Sequence, residues 1–473
     1  MNLWTINELN AALKEIIITN TTDNNVSIDH VFIDSRKSSK NGLFIALKGE
    51  NTDGHNYVKA AFEMGASLAI VDRIPDNIVN TALATKLIVV YNTYEALNQL
   101  ALYARQRAKG KIIALTGSVG KTSTKEMLKI AFESQGKTFA NIGNLNNHIG
   151  LPLSLANLDA NCDYAILEMG MNHLNEIIHL TKIARPHLAI ITNVGPVHIE
   201  FFKNEQEIAK AKSEIFGGLD KDGIALINAD NKHFAFIQKQ ALDYGVNPKN
   251  LKTFGHINPA DYKINDITIE SSSQALISAT YKNQKTNFAV NITNKSVAFN
   301  AIIVLACLDL IGKNVALGLE SLQKFTNSAG RGKATDIVVN HKKLTIIDDT
   351  YNASILSMKA GLENCLNLKT SLNKKRAVCA IGDMLELGDK SLEIHMELLD
   401  FIKKNSFDLV ILVGNSLKLA NDKINLTNVK IYQNSQEASH EFEKFLNDGD
   451  IVYFKGSRGI KMEKLIENLI QKN

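Results

Sequence analysis

The chain has 473 residues, 45% of them hydrophobic and 22% charged, an ordinary globular balance in a length too great for one core. Lys and Arg number 53 against 49 Asp and Glu, a net charge of +4 with no dense basic block, which argues against a nucleic-acid partner. The four cysteines (Cys162, Cys307, Cys365 and Cys379) form no C-x-x-C pair, the start "MNLWTINELNAAL" lacks a secretion signal, and no apolar run approaches the roughly 20 residues that span a bilayer, so a reduced, cytoplasmic protein without membrane insertion is expected; a monomer is expected as well.

Residues 1–84 mix the short strands "VFIDS", "GLFIAL" and "SLAIVD" with a helix around "YVKAAFEMGA", a small N-terminal α/β unit. The helical stretch "YEALNQLALYARQRAKG" opens a second unit, 85–318. There "KIIALTG", "DYAILEMG", "HLAIITNV" and "GIALINAD" alternate with helices, which predicts a mostly parallel sheet wrapped by them. "INDITIESSSQALISATYKNQKTNFAVNI" reads as hairpin strands before a helix at "AFNAIIVLACLDLIG". From 319 to 473, "LTIIDD", "AVCAIGD", "LVILVG" and "DIVYFKG" are each followed by a helical segment, as in a doubly wound, Rossmann-like domain. The expected fold is α/β in three domains.

The first chemistry lies in "IIALTGSVGKTSTKEML", residues 112–128. A β-prone run, a turn with Gly117 and Gly120, and a helix is the setting of a phosphate loop, in which backbone N–H groups meet phosphate oxygens at a helix N-terminus. Lys121 can then reach terminal phosphates and Thr122 can hold Mg²⁺, which points to ATP. The common pattern wants a glycine five residues before Gly120; this chain has Leu115.

Three further residues are weaker signals alone. Glu168 directly follows the apolar run 165–167, at a strand end where ligands of open α/β sheets collect. His198 ends the Pro/Gly turn of "AIITNVGPVHIEFF"; imidazole can bind a divalent metal, although a capping or core histidine is the plainer alternative. In "EQEIAKAKSEIFGGL", Lys212 shares the apolar helix face of Ile208 and Ile215, whereas Lys210 lies with Glu207 and Glu214. An inward ammonium is costly unless paired or chemically changed, for instance by CO₂ to a carbamate that binds Mg²⁺. Periodicity alone favours a lysine that carries its head past the apolar face to water.

Together these residues resemble the Mur ligases, ATP-dependent amino-acid ligases of peptidoglycan synthesis. Their loop pattern T-G-[ST]-x-G-K-[ST] matches "TGSVGKT", including the missing first glycine. The resemblance extends through "DSRKSSKNGLFIALKGENTDGHNY", "GNLNNHIGLP", "LEMGMNH", "AKAKSEIF", "DDTYNAS", "IGDMLELG" and "KGSRGIKME". It implies the joining of D-alanyl-D-alanine to UDP-N-acetylmuramoyl-tripeptide through an acyl phosphate, with ATP and two Mg²⁺ ions. By that resemblance the loop from Gly117, Ser118 and Val119 through Gly120, Lys121, Thr122 and Ser123 holds ATP, aided by Asn300, Arg331 and Asp349. Thr122 and Glu168 would hold metal, and His198 with a carbamylated Lys212 a second ion. Asp34, Ser35, Arg36 and His55 fall in the block that receives the uridine nucleotide. Asn144, Asn146 and Asn147 fall at its sugar-peptide portion, and Ser457 and Arg458 near the dipeptide. One departure stands out: in "NKSVAFN", Asn294, Ser296 and Val297 replace the family's Gly, His and first Asn, leaving Asn300 as the polar contact of that turn.

Two other classes remain open at this level. A folylpolyglutamate-synthetase-like ligase would share the loop and the lysine, but not the "DSR…ALKG…DGH" block. A nucleotide-driven switch would usually carry a Walker-B Asp and the full glycine pattern.

Overall fold

The computed structural model describes residues 2–21, 26–37, 40–269, 274–292 and 294–471. Among these, four β-sheets form. A five-stranded N-terminal sheet runs Ile17–Thr19, Leu87–Val90, Ala66–Val71, Gly42–Ile45, His30–Phe32, parallel except at its first pair. Trp4–Thr5 and Ser27–Ile28 make a separate two-stranded ribbon. Sheet membership carries this unit to Val90, past the expected boundary at 84. A run of apolar residues in 87–90 is too short to declare its sheet until its neighbours are known.

The central sheet has nine strands. Its parallel part is Tyr262–Ile269, Leu251–Gly255, Ile224–Asn228, Leu188–Ile191, Lys111–Thr116, Tyr164–Glu168, Thr138–Ala140, in spatial order. The expected hairpins Tyr262–Ile269, Ala275–Tyr281 and Gln284–Val290 extend this sheet antiparallel at one edge. Alternate residues of the middle strands face opposite layers. Ile112 and Ala114 join one core; Ile113 and Leu115 join another with Met127, Leu128 and Phe132 of the helix Lys121–Glu133. The very apolar helix Ala301–Leu310 is buried along its length in that second core, and Leu319, Leu322 and Phe325 pack there too. The central packing therefore runs past 318.

The last sheet has six strands: Lys333–Val339, Lys342–Asp349, Asp450–Lys455, Arg376–Gly382, Leu409–Val413, Val429–Tyr432. Only its first pair is antiparallel. Among the described residues no helix is long and apolar enough to cross a membrane.

Candidate functional site

The strand Lys111–Thr116 delivers the chain into the loop 117–120, and the helix Lys121–Glu133 starts directly after it. Gly120 takes a left-handed φ of +85°, and an added Cβ there would stand 3.0 Å from Asn300 Oδ1. A Cβ on Gly117 would collide with the Thr192 hydroxyl. That hydroxyl donates to Val119 O at 2.6 Å, and Ser118 Oγ donates to Gly195 O at 2.9 Å. Ser118 and Val119 thus pin the loop to the exit of the strand Leu188–Ile191. Lys121 Nζ folds back to donate to Gly117 O at 2.5 Å. Burial lowers the Lys121 pKa, Glu168 works against this, and Arg331 adds to it. Ser123 is half-buried in the first helical turn.

Glu168 ends the strand Tyr164–Glu168, opposite Leu115 in register. Its carboxylate accepts from Thr122 Oγ1 at 3.0 Å and from Asn146 Nδ2 at 2.9 Å. Its backbone is clamped by Asn141: Glu168 N–H donates to Asn141 Oδ1 at 2.8 Å, and Asn141 Nδ2 donates to Glu168 O at 3.0 Å. Lys125, wholly buried, donates to Asn141 O at 2.7 Å and stands 3.8 Å from Glu168 Oε2. The helix that carries Lys121 and Thr122 is thereby tied to the loop that carries Asn144, Asn146 and Asn147. Asn144 is exposed, and Asn147 Oδ1 accepts from Gly150 N–H at 2.8 Å at the start of the helix Gly150–Ala156.

Lys212 lies on the helix Glu205–Ser213 and is only 3% exposed. Among the described residues its ammonium has no hydrogen bond or ion pair. Burial first, then the neighbouring Lys121, lower its pKa well below the usual lysine range. The expected escape of its head to water does not occur. His198, with φ +58°, turns its ring to Glu386, whose carboxylate is hydrogen-bonded to Nδ1. Among the described residues no three His, Cys, Asp or Glu side chains form a metal-holding group.

Asp349, at the end of the strand Lys342–Asp349, accepts from Lys455 Nζ at 2.7 Å and from Tyr453 OH at 2.9 Å. Burial raises its pKa, with Lys455, Tyr453 and Arg331 acting against the rise. Arg331 lies 4.1 Å over the Tyr351 ring, and Arg458 6.0 Å from the same ring. Ser457 is buried, its hydroxyl accepting from Leu385 N–H at 2.9 Å. A cavity of about 130 Å³ is lined by His198, Glu386, Ser457 and Arg458 among others.

In the N-terminal sheet, Arg36 forks onto Asp34 with two 2.9 Å bonds beside Ser35. His55 is different. It is buried, its Nδ1 lies 2.7 Å from Asp53 Oδ1, and its Nε2 accepts from Asp72 N–H at 3.1 Å. With both ring nitrogens hydrogen-bonded inside the chain, His55 braces its loop.

The pattern for the Mur ligase middle domain matches residues 115–308, that for the glutamate ligase domain 335–458, and that for the Mur ligase catalytic domain 27–105. The chain belongs to the Mur ligase family. It is 36% identical to the UDP-N-acetylmuramoyl-tripeptide–D-alanyl-D-alanine ligase of Rickettsia prowazekii, over 98% of this chain and 99% of that one. Its identity to the Bacillus subtilis enzyme of the same description is 34%, over 94% and 93%. Among solved structures it is similar to MurF from Acinetobacter baumannii, with a TM-score of 0.85, 30% identity and 99% coverage of both chains. MurF from Thermotoga maritima in complex with ADP gives 0.78 and 25%, over 94% and 97%.

The turn that departs from the family's pattern is built as a cap. Asn294 Oδ1 accepts from Ser296 N–H at 2.9 Å, and Val297 packs on the second central core. Four groups around the site escaped the sequence reading: Asn141, Lys125, Glu386 and the Tyr453–Lys455 pair. Asn141 and Lys125 lie close to the motif but face inward, and only a buried polar pair between helix and loop would have marked them. Glu386 and Lys455 meet their partners across 188 and 106 residues, a distance that no local pattern spans.

Proposed function

We propose that this chain joins D-alanyl-D-alanine to UDP-N-acetylmuramoyl-tripeptide, converting ATP to ADP and phosphate. The observation that carries this is the meeting of Lys121 and Thr122 with Glu168, beside the buried, unpaired Lys212. The relatives' described activity supplies the substrates.

The site's chemistry fits ATP and Mg²⁺. Gly117 and Gly120 let the loop pack closely on Thr192 and Asn300 at the helix N-terminus, where phosphate would bind, and Lys121 offers its charge. The Thr122 hydroxyl and the Glu168 carboxylate are hard oxygen donors suited to one Mg²⁺. His198 and a carbamylated Lys212 would serve a second. The carbamate forms when the neutral Lys212 amine attacks CO₂ and loses a proton, and the depressed pKa favours that neutral amine. It would also replace repulsion between Lys212 and Lys121 with attraction. When bound, Mg²⁺ supplies charge neutralisation on the triphosphate oxygens.

A free carboxylate resists an amine because oxide is a hopeless leaving group. The tripeptide carboxylate therefore attacks the γ-phosphorus, and ADP leaves. The dipeptide amine attacks the resulting acyl phosphate, loses a proton, and the tetrahedral adduct expels phosphate. Lys121 offsets the repulsion between the carboxylate and the γ-phosphate, and the rest is positioning. Asn300 and Arg331 would hold the nucleotide from two sides, with Asp349 behind Arg331. Asp34, Ser35 and Arg36 would take the uridine end, Asn144 and Asn146 the sugar-peptide portion, and Arg458 the dipeptide carboxylate, with Ser457 shaping its loop. Three domains, one around the N-terminal sheet, one around the central sheet and one around the C-terminal sheet, would each bring one reactant, so catalysis involves closure. A cytoplasmic monomer belongs to this reading. The test is sustained phosphate release that requires both the UDP-muramoyl peptide and the dipeptide; release at the full rate without the UDP-muramoyl peptide, or without ligated product, overturns the proposal.

A further inference from the structure

Glu386 lies in "GDMLELG", beyond the strand Arg376–Gly382, and the chemistry above leaves it without a role. Its carboxylate is hydrogen-bonded to Nδ1 of His198, which comes from the loop after the central strand Leu188–Ile191. The backbones meet as well. Glu200 N–H donates to Glu386 O at 3.3 Å, and a Cβ on Gly388 would stand 3.1 Å from Glu200 Cβ. Both partners are left-handed, His198 at φ +58° and Glu386 at φ +62°. Such conformations cost energy in non-glycine residues and persist where the surroundings over-determine them. Both side chains line the same cavity as Ser457 and Arg458.

We propose that Glu386 is a positioning residue: it accepts the Nδ1 proton of His198 and so leaves the Nε2 lone pair bare for the Mg²⁺ site. A neutral imidazole carries one N–H, and an ionised carboxylate can only accept, so the Glu386 bond dictates which nitrogen is protonated. A carboxylate behind a metal-facing histidine fixes both ring orientation and tautomer. Because His198 belongs to the central unit and Glu386 to the C-terminal one, the bond forms only when the two units are docked. The imidazole is thus set at the moment the dipeptide side of the cleft comes into place. This inference rests on the proposed role of His198 toward Mg²⁺.

Two readouts test it. Nitrogen-15 labelling of histidine in the whole chain, with His198 assigned by difference from His198→Asn, reports the tautomer without turnover. The parent chain is expected to carry the proton on Nδ1, and Glu386→Ala to lose that preference. In ligation assays at fixed saturating MgATP, Glu386→Ala should raise the free Mg²⁺ needed for half-maximal rate by about tenfold, and Glu386→Gln, which still accepts from Nδ1–H, should recover most of it. A parent-chain His198 protonated on Nε2, or a Glu386→Ala variant unchanged in both readouts, overturns the inference. If the parent chain forms no ligated product, the proposed function fails, while the tautomer comparison still decides the Glu386–His198 link. The parent spectrum does not depend on Glu386→Ala, so poor folding of that variant leaves the test standing.

Discussion

Thr122 and Glu168 meet at 3.0 Å, one at the start of the phosphate-loop helix and the other at the end of the adjacent parallel strand. The carboxylate's other oxygen is held by Asn146, so its position is set from the ATP side and from the substrate loop at once. Glu168→Ala should lower turnover by about two orders of magnitude or more with the fold intact, measured as ligation-dependent phosphate release. A loss below about tenfold, or about 1.4 kcal/mol, would remove Glu168 from the metal site.

Lys212 is a buried amine with no hydrogen-bond or ion-pair partner among the described residues, next to the Lys121 ammonium. Lys212→Ala should abolish ligation, and added short carboxylates should restore part of it by filling the carbamate's place. Intact-protein mass spectrometry does not suffice, since carbamates reverse on acidification; chemical rescue is the measurement. Full activity in Lys212→Ala contradicts the carbamate.

Leu115 stands where common phosphate loops carry glycine, and it is wholly buried among Ile113, Met127, Leu128 and Ile166. Leu115→Gly would restore the common pattern while deleting a core side chain and loosening a strand. A loss of about 3–5 kcal/mol is expected, read as a lower melting temperature of the central unit. An unchanged melting temperature would show that the site tolerates the gap.

Asp53 gives a pH dependence of definite sign. Desolvation pushes its carboxyl pKa up, but hydrogen bonds from the His55 backbone, Arg73 and the His55 ring together hold it well below the ordinary 3.8. A depressed pKa contributes stability that is present above the unfolded value and lost as pH falls through the folded one. Asp53→Asn should therefore lower the melting temperature at pH 7, and the gap to the parent should close in acid below 3.8. A gap that stays constant or widens in acid contradicts this.

The elements nearest the chemistry were legible because their signals are local. The strand-turn-helix of 112–128, the strand end at Glu168 and the inward face at Lys212 need only a short window of sequence. Lys212 also shows the limit of periodicity: the helix face was readable, but only the packing around it shows that the head stays buried. His55 shows another. Its place in the "DGH" block gave no sign that Asp53 and Asp72, the latter 17 residues downstream, hold its two ring nitrogens. Leu87–Val90 joined the N-terminal sheet because register with Ala66–Val71, not composition, assigns a short apolar strand.

The most direct measurement of the central claim is a mass-spectrometric ligation assay of the whole chain with ATP and Mg²⁺. It supplies D-alanyl-D-alanine with UDP-N-acetylmuramoyl-tripeptides bearing either diaminopimelate or lysine. The expected result is a product whose mass is the sum of both substrates less one water, with equimolar ADP and phosphate, from at least one tripeptide. ATP hydrolysis without that product, or its stimulation by a protein partner alone, would contradict it.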